Sequence, residues 1–571
     1  MPVHNGPPQN PIALDIAIIG GGVAGAYTAY RLTQTDLQSS PILRDLLQKS
    51  GKDHLTIGVF EYNGHVGGRL WSQPFANPTL HADLGGHGFN ILQQNVYGLC
   101  TQELKLPYRP CLGYNSQQLQ YIRRHRYHYT EYVPEPPKRT PRYYPDTVPF
   151  FLTDSEQWQS PDQLVMRFLC EHIAQVSDYL TPVEAALRQQ RLPEAFLAMQ
   201  ALTAFLREAQ FDNTPLWGHG LWNVLQERLS SEAYALLLQS DFAYSDFRNW
   251  NLYDAVWNTL FMSFSFLYAD APFWELSGGF QTLPQTLIDK FLQHPGTDVY
   301  VNSQLYRFRG RPSEAGAPMT FEIGKPVGRV VSHQGTPVQA RYVVLALPKR
   351  GLQLLDQHSF FFGPQTFRDA LECVDPTPAV KIVFRYDTAW WQSLGITGGY
   401  STTDLPLRGC YYAATDPTTG HAVLTASLSD DVMSAFWAGY LRPPSPAISM
   451  LTVPPDMLPL VTEDLKRTIR QQLTAIHGGE VPEAQEAFMQ DWRREPFGGG
   501  WHNWYPQHKS WEIMRRVRKP VADAGIFVCG EAYSAQQGWV EGVLNTAEKV
   551  LEEHFAVPRP GWVLLEYDFG P

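Results

Sequence analysis

Short apolar runs punctuate an otherwise mixed chain at residues 12–19 (IALDIAII), 55–60 (LTIGVF), 341–347 (RYVVLAL) and 526–529 (IFVC). Each is shorter than a buried helix needs and carries Ile or Val, the pattern of a strand covered on both faces of a parallel sheet. Lying at the start, middle and end of the chain, they predict one discontinuous α/β unit with other units inserted in its loops. A helix is predicted over 23–32, and 33–54 reads as a polar insertion before the second strand. Between 155 and 240, apolar residues recur at helical spacing through Leu197, Leu202 and Leu206 and again at 236–238. Ser160-Pro161 offers an N-cap followed by proline at the first helical position, and Thr181-Pro182-Val183-Glu184 reads as a capping box with the same proline. This stretch is predicted to be a helical subdomain. Residues 133–149 (VPEPPKRTPRYYPDTVP) are too rich in proline for helix or central strand and read as an exposed connector. Residues 277–291 (SGGFQTLPQTLIDKF) predict a glycine turn and a helix. No repeat of ~20–50 residues is visible, which argues against solenoids and propellers.

Composition narrows the class. With 571 residues, of which 44% are hydrophobic and 18% charged, the chain supports several units with large cores and is not a disordered protein. A net charge of −11 argues against nucleic acid as a partner. Cys100, Cys111, Cys170, Cys373, Cys410 and Cys529 lack metal-finger spacing and read as reduced thiols, so no metal site is expected. Residues 1–10 have neither a basic nor an apolar signal-peptide region. The most apolar stretch, 255–268, falls short of the ~20 residues of a bilayer span. The expectation is a soluble, cytoplasmic protein without a membrane span.

Gly20-Gly21-Gly22-Val23-Ala24-Gly25 fits G-x-G-x-x-G between a predicted strand and a predicted helix. Gly20 permits the tight turn, Gly22 lets backbone approach a pyrophosphate, and Gly25 permits close helix–strand packing. The helix N-terminus then offers unpaired N–H groups and a partial positive charge to the diphosphate. Glycine turns also occur for structural reasons alone, so context decides. Glu61 closes the next strand, where a carboxylate accepts hydrogen bonds from adenosine ribose hydroxyls and disfavours a 2′-phosphate. It lies farther downstream than the usual ~20 residues, and the 33–54 insertion accounts for the excess. The pattern predicts a dinucleotide.

Directly after Glu61 runs Tyr62-Asn63-Gly64-His65-Val66-Gly67-Gly68-Arg69-Leu70-Trp71-Ser72. This resembles the GGR segment of the flavin-containing amine oxidase superfamily. The resemblance implies FAD in preference to NAD, with Gly67 and Gly68 close to the cofactor and Arg69 helping to hold its diphosphate and flavin side. Other segments resemble the superfamily in the same order along the chain. Ala82-Asp83-Leu84-Gly85-Gly86-His87-Gly88 is similar to its flavin-facing DLGG, and Ser277-Gly278-Gly279 with Leu283-Pro284 to its GG…LP element. Val301-Asn302-Ser303-Gln304-Leu305 resembles the strand whose backbone meets the adenine, and Ala346-Leu347-Pro348 its A-x-P strand end. Cys529-Gly530-Glu531-Ala532-Tyr533 resembles its AGE block. The likeness therefore adds Gly85, Gly86, Leu305, Gly530, Glu531 and Val540 to the expected cofactor contacts. It implies an α/β fold with a discontinuous Rossmann-like FAD-binding domain (12–88, 272–348 and 519–571). An inserted mixed-sheet substrate domain (89–150, 241–271 and 349–518) and a helical subdomain (151–240) complete it.

Ser534-Ala535-Gln536-Gln537-Gly538-Trp539-Val540-Glu541-Gly542 is similar to the Q-x-x-G-W-[IV] block of L-amino-acid oxidases. That implies Trp539 as an aromatic wall at the cofactor and the Gly538 carbonyl as acceptor for the substrate amine. Arg408-Gly409-Cys410-Tyr411-Tyr412 resembles their R-x-x-Y-Y segment, whose tyrosine hydroxyl binds the substrate carboxylate. Tyr412 is the expected ligand and Tyr411 the neighbour packed behind it, because strand alternation lets only one face the pocket. Residues 379–384 (AVKIVF) followed by Trp390-Trp391 resemble the K-[IV] strand, which gives Lys381 the role of holding a water near flavin N5. His87 is expected beside the flavin, either tuning the substrate amine's protonation near neutral pH or hydrogen-bonded to backbone. Trp501-His502-Asn503-Trp504-Tyr505 offers another wall or ordinary core aromatics. One departure stands out: where those oxidases place a carboxylate-clamping arginine, this chain has Gly88, so no bidentate partner is available there. Arg123, Arg124, Arg126 and Arg368 are substitute cations that read more simply as surface residues.

The expected activity is FAD-dependent oxidation of an L-amino acid bound as the free amine. Hydride passes from Cα to flavin N5, the imino acid hydrolyses to a 2-oxo acid and ammonium, and dioxygen (giving peroxide) or a quinone takes the electrons. The cofactor carries this chemistry, without a metal or a protein nucleophile. The alternatives are an oxidase of non-carboxylated amines such as polyamines, an amino-acid oxidative decarboxylase, and a non-catalytic flavin-binding protein. Side-chain preference, electron acceptor and oligomeric state, a homodimer included, stay open.

Overall fold

The computed structural model describes residues 3–111, 117–132, 148–240, 248, 250–269, 273–312, 314, 316–443 and 457–571. The predicted apolar runs meet in one sheet. Its order is Val3–Asn5, Thr297–Val301, Ile57–Phe60, Ile12–Ile19, Thr336–Leu345, Met319–Gly324 and Gln304–Arg309, with Ile526–Val528 pairing Thr336–Leu345. The pairs around Ile12–Ile19 are parallel, with Ile16 opposite Ile57 and Leu345 opposite both Ile19 and Val528. Two antiparallel strands, Met319–Gly324 and Gln304–Arg309, extend the other edge. Burial on both faces explains why these strands show no polar alternation.

Helices Val23–Gln34, Thr282–Phe291 and Val540–Phe555 share one core on this sheet. A buried polar knot ties the first to the last: Tyr27 Oη and Arg31 Nε both donate to Glu548 Oε1, at 2.6 and 2.7 Å. The 33–54 insertion is more ordered than its polarity predicts. It holds helix Pro41–Ser50, capped by Ser40, whose Oγ accepts from Leu43 N, and burying Leu43 and Leu46.

The second sheet runs Glu486–Asp491, Ala379–Tyr386, Ala422–Asp430, Gly409–Thr415, Gly399–Thr403, Leu119–Ile122 and His125–His128. Its outer face packs on helix Glu463–His477 through Val380, Ile382, Phe384, Cys410 and Tyr412. Its other face looks toward the first sheet.

Helices Pro161–His172, Val176–Arg188, Leu192–Glu208, Leu221–Arg228, Ser231–Ser240 and Leu252–Tyr268 share a third core. Ser160 is the expected N-cap, and it also forms a capping box with Gln163. Thr181 does not cap: helix Val176–Arg188 passes through it with Pro182 inside. Val176, Leu180, Val183 and Leu187 form one buried stripe, and burying that stripe outweighs the N–H lost at Pro182. Leu197, counted in the apolar pattern, is 55% exposed, whereas Leu202 and Leu206 are buried. Most of the proline-rich connector, residues 133–147, lies outside the described residues. No described helix is long and apolar enough to cross a membrane.

Candidate active site

A cavity of about 520 Å³ is lined from both sheets, and nearly every predicted site residue borders it. Its lining includes Gly20, Gly22, Glu61, Gly68, Arg69, Leu305, Gly530, Glu531 and Val540, together with Gly85, Gly86, His87, Lys381, Gly538 and Trp539. Gly25 is absent from the lining for the reason its place in the motif gives. A Cβ there would stand 1.8 Å from Gly20 O, so this glycine lets helix meet strand. Gly20 has φ +105°, and a Cβ on it would strike Ala346 O. A Cβ on Gly22 would meet only Gly68 Cα at 3.8 Å, so backbone there is open to a close-lying group.

These residues fit a dinucleotide. Helix Val23–Gln34 begins at Gly22 with no side-chain cap, leaving its first N–H groups for an anion. Glu61 ends its strand buried, accepting from Gly21 N at 2.5 Å and Asn63 N at 2.8 Å. Burial, only partly offset by those N–H groups, pushes its carboxyl up to about 7. That is a carboxylate short of donors, and ribose hydroxyls would supply them. Asn63 Oδ1 is likewise buried without a partner.

Arg69 is anchored from both sides. Its Nη1 donates to Gly500 O at 2.8 Å and pairs with Glu531 Oε2 at 2.9 Å. Glu531 also receives His502 Nδ1 at 2.8 Å, His502 N at 2.8 Å and Gly538 N at 2.9 Å. Burial alone would raise this carboxyl; His502 and Arg69 outweigh it and hold it down at about 2. One permanently ionised group thus links the cofactor-side arginine to the loop carrying Gly538 and Trp539. The sequence offered Glu531 as a cofactor contact but gave no sign of this joint role, because His502 reaches it from a distant strand.

Part of the cavity is a chamber walled largely by rings. Trp539 stacks on Phe273 with centroids 6.2 Å apart, and Phe266, Met262, Cys111 and Trp501 complete the wall. Apart from Trp539 and Trp501, no motif announced these residues; Met262 and Phe266 share helix Leu252–Tyr268, and Phe273 and Cys111 come from other segments. Lys381 is buried, with Nζ donating to Gly85 O at 3.0 Å and lying 3.5 Å from His87 Nδ1. Burial pushes its ammonium down to about 8 against the pull of Asp83 and Glu275. His87 does border the chamber, but its expected titration near neutral pH is corrected. Burial first, and then the Lys381 charge, push the imidazole down to about 3, so it stays neutral. Its Nε2 lies 3.1 Å from Tyr400 Oη.

The choice between the two tyrosines is reversed. Tyr412 faces the outer core, fully buried, with its Oη 2.6 Å from Ser401 Oγ and 2.7 Å from His477 Nε2. Tyr411 borders the chamber, opposite Tyr400 on the neighbouring strand and with ring centroids 4.8 Å apart. Its hydroxyl is buried without an oxygen or nitrogen partner, beside the Cys111 thiol. Burial, Glu275 and Cys111 all push that phenol upward, so it remains a neutral donor.

At Gly88 a Cβ would stand 3.1 Å from Trp274 O and 3.4 Å from Cys111 Sγ, a wall with little room for a longer side chain. The substitute arginines are elsewhere. Arg123 pairs with Glu232, Arg126 donates to Ile476 O and Ala475 O, Arg368 binds Phe362 O, and Arg124 is exposed. Among the described residues bordering the cavity, Arg69 is the one arginine, and its Nη1 is held by Glu531 and Gly500 O.

The chain is 25% identical to Aplysianin-A of Aplysia kurodai over 570 residues, covering 95% of this chain and 90% of that one. It is 22% identical to L-amino-acid oxidase 4 of Hebeloma cylindrosporum over 301 residues, half of this chain and 44% of the other. In fold it resembles a double mutant of putrescine oxidase, with a TM-score of 0.62, 16% identity, and coverage of 95% of this chain and 99% of that one. Residues 28–550 match the model of the flavin containing amine oxidoreductases, and the chain belongs to that family.

Proposed function

We propose that the protein is an FAD-dependent oxidase of L-α-amino acids. The observation that carries the amino-acid reading is the Tyr411 hydroxyl, a buried donor on the chamber wall without an oxygen or nitrogen partner. A substrate carboxylate supplies the acceptor it lacks. The likeness to L-amino-acid oxidase 4 over half of the chain supports the same reading. FAD is the flavin that Glu61 and the open helix N-terminus favour, since both grip the adenosine diphosphate half of a dinucleotide. When bound, FAD takes up the hydride from the carbon that bears the amine.

The remaining work falls to side chains. Trp539 and Phe273 flank the substrate and keep water from the reacting carbon, and the Gly538 carbonyl accepts from its amine. Lys381, titrating at about 8, passes between cation and free amine near the range in which a substrate ammonium sheds its proton. His87, neutral throughout, ties Lys381 to Tyr400.

A second reading, oxidation of non-carboxylated amines, is favoured because Arg69, the one arginine among the described lining residues, is already paired with Glu531. One panel separates the readings. L-amino acids and their decarboxylated counterparts are supplied to the FAD-loaded enzyme, and peroxide, ammonium, carbon dioxide and amide are measured. Equimolar peroxide and ammonium from amino acids support the proposal, and turnover of the amines alone overturns it. Amide with carbon dioxide would identify a decarboxylase. FMN in the denatured supernatant would overturn the cofactor assignment.

A further inference from the structure

Gln490, in strand Glu486–Asp491, lies directly opposite Lys381 in strand Ala379–Tyr386. Directly opposed residues of antiparallel strands project from the same face. Their neighbours on that face are apolar on both sides. Val383 and Phe488 belong to one cluster, and Ala379 and Trp492 to another. Lys381 and Gln490 therefore form a polar rung between two greasy ones. Gln490 is 0% exposed and is not among the residues that border the cavity. Both ends of its amide, Oε1 and Nε2, are buried without a hydrogen-bond partner. Such a group costs stability unless it is bonded, and methionine would fill the same space without that cost.

No direct hydrogen bond joins the two side chains. Lys381 Nζ donates instead to Gly85 O at 3.0 Å and lies 3.5 Å from His87 Nδ1. Buried polar groups that face each other beyond direct reach are joined by an ordered water. We propose that Gln490 is a positioning residue for Lys381, holding its amine through one buried water in either protonation state. Through that water Oε1 accepts from the ammonium, and Nε2 donates toward the lone pair of the free amine. A neutral amide thus lets the lysine gain or lose its proton without a change in packing. A carboxylate in its place would hold the cation, and an apolar side chain would disfavour it.

Other charges also act on Lys381. Asp83, paired with His81 at 3.3 Å, and Glu275, paired with Arg109 at 2.6 Å, both favour its cation. His87 is neutral. The flanking strands carry Asp430 opposite Ala379 and Asp491 opposite Val380, the latter bound by Arg493 at 2.5 Å. None of these is altered by a substitution at Gln490, so a shift in the lysine reports the amide itself. The inference rests on the proposed role of Lys381 as the titrating group of the chamber, and it holds for amino-acid and amine substrates alike.

The test reads the lysine directly. FAD-loaded protein is labelled with ¹³C at lysine Cε and titrated by NMR, with Lys381→Met assigning the resonance. Gln490→Glu should raise the Lys381 midpoint by about one pH unit or more, and Gln490→Met should lower it by about half a unit or more. Gln490→Asn, which keeps an amide, should fall between them and nearest the parent. The pH at which flavin reduction accelerates should move with the NMR midpoint in each variant. If one variant unfolds, the direction of the other still decides. Midpoints that stay at the parental value, or that move the same way in Gln490→Glu and Gln490→Met, would overturn the proposal and reduce Gln490 to packing. The NMR midpoints need no substrate, so a failure of the amino-acid reading would show in the substrate panel alone, and a failure of this inference in the titration.

Discussion

Tyr411 and its neighbour Tyr412 permit a sharp test, because they differ by one residue and face opposite sides of one strand. Tyr411→Phe removes a single hydroxyl that has no oxygen or nitrogen partner in the protein, so the fold loses little. If that hydroxyl donates to a substrate carboxylate, its loss removes a hydrogen bond to a charged group, about 1.5–3 kcal/mol. At about 1.36 kcal/mol per decade, kcat/KM for an amino acid should fall roughly 10- to 150-fold. The decarboxylated amine of the same side chain should change little. Tyr412→Phe should do the reverse. It strands Ser401 and His477 in a dry core, costing about 1–3 kcal/mol of stability, and leaves the ratio of amino-acid to amine turnover untouched. The assay is steady-state kinetics on matched amino acid and amine pairs, beside denaturant unfolding of both variants. Equal loss on both substrates in Tyr411→Phe would show that the ring shapes the chamber and the hydroxyl recognises nothing. A changed substrate ratio in Tyr412→Phe would refute the assignment of faces.

Glu61→Ala should lower FAD affinity by an order of magnitude or more, because it removes charge-assisted hydrogen bonds of roughly 1.5–3 kcal/mol each; retained flavin absorbance after gel filtration checks this. Glu61 also marks the apoprotein's pH response. Its folded pKa is raised to about 7, so its contribution is most favourable below the unfolded value near ~4.3 and is lost as pH rises toward 7; apoprotein unfolding at several pH values should lose that slope in Glu61→Gln. Lys381→Met should abolish the rise in flavin reduction rate through pH about 8, where the parental lysine gives up its proton; stopped-flow reduction across pH 6–10 tests it. Trp539→Ala should keep its yellow cofactor and reduce slowly, and parental reduction rates would make that ring packing only.

The cofactor end of the site was legible because backbone makes it. A turn that must admit a diphosphate needs glycine where a Cβ would collide, as at Gly20 and Gly25, and that need is written in the sequence itself. The strands were legible too, since burial on both faces leaves a continuous apolar run. Helix Val176–Arg188 was misread because Thr181-Pro182 is a valid local start signal, and only the buried stripe beyond it shows that the helix began earlier. The expected behaviour of His87 failed for a similar reason. A free imidazole titrates near neutrality, and the enclosure and the Lys381 charge that depress it come from another sheet.

The substrate end is made of side chains, and rings from many segments satisfy it equally. Phe266, Phe273, Tyr400, Tyr411 and Trp539 converge from five separate segments, and none of the first three had a spacing that set it apart from core aromatics. Alternation rightly allowed only one of Tyr411 and Tyr412 into the chamber, but it fixes relative faces and not which face the cavity occupies. Here the phase is also reset nearby: Arg408 sits at φ +58° and the pairing register shifts between Gly409 and Tyr411. A bulge of this kind re-aims a side chain locally. Tyr411 borders the chamber beside that shift, and which of the two tyrosines does so is a property of the folded sheet that no motif encodes.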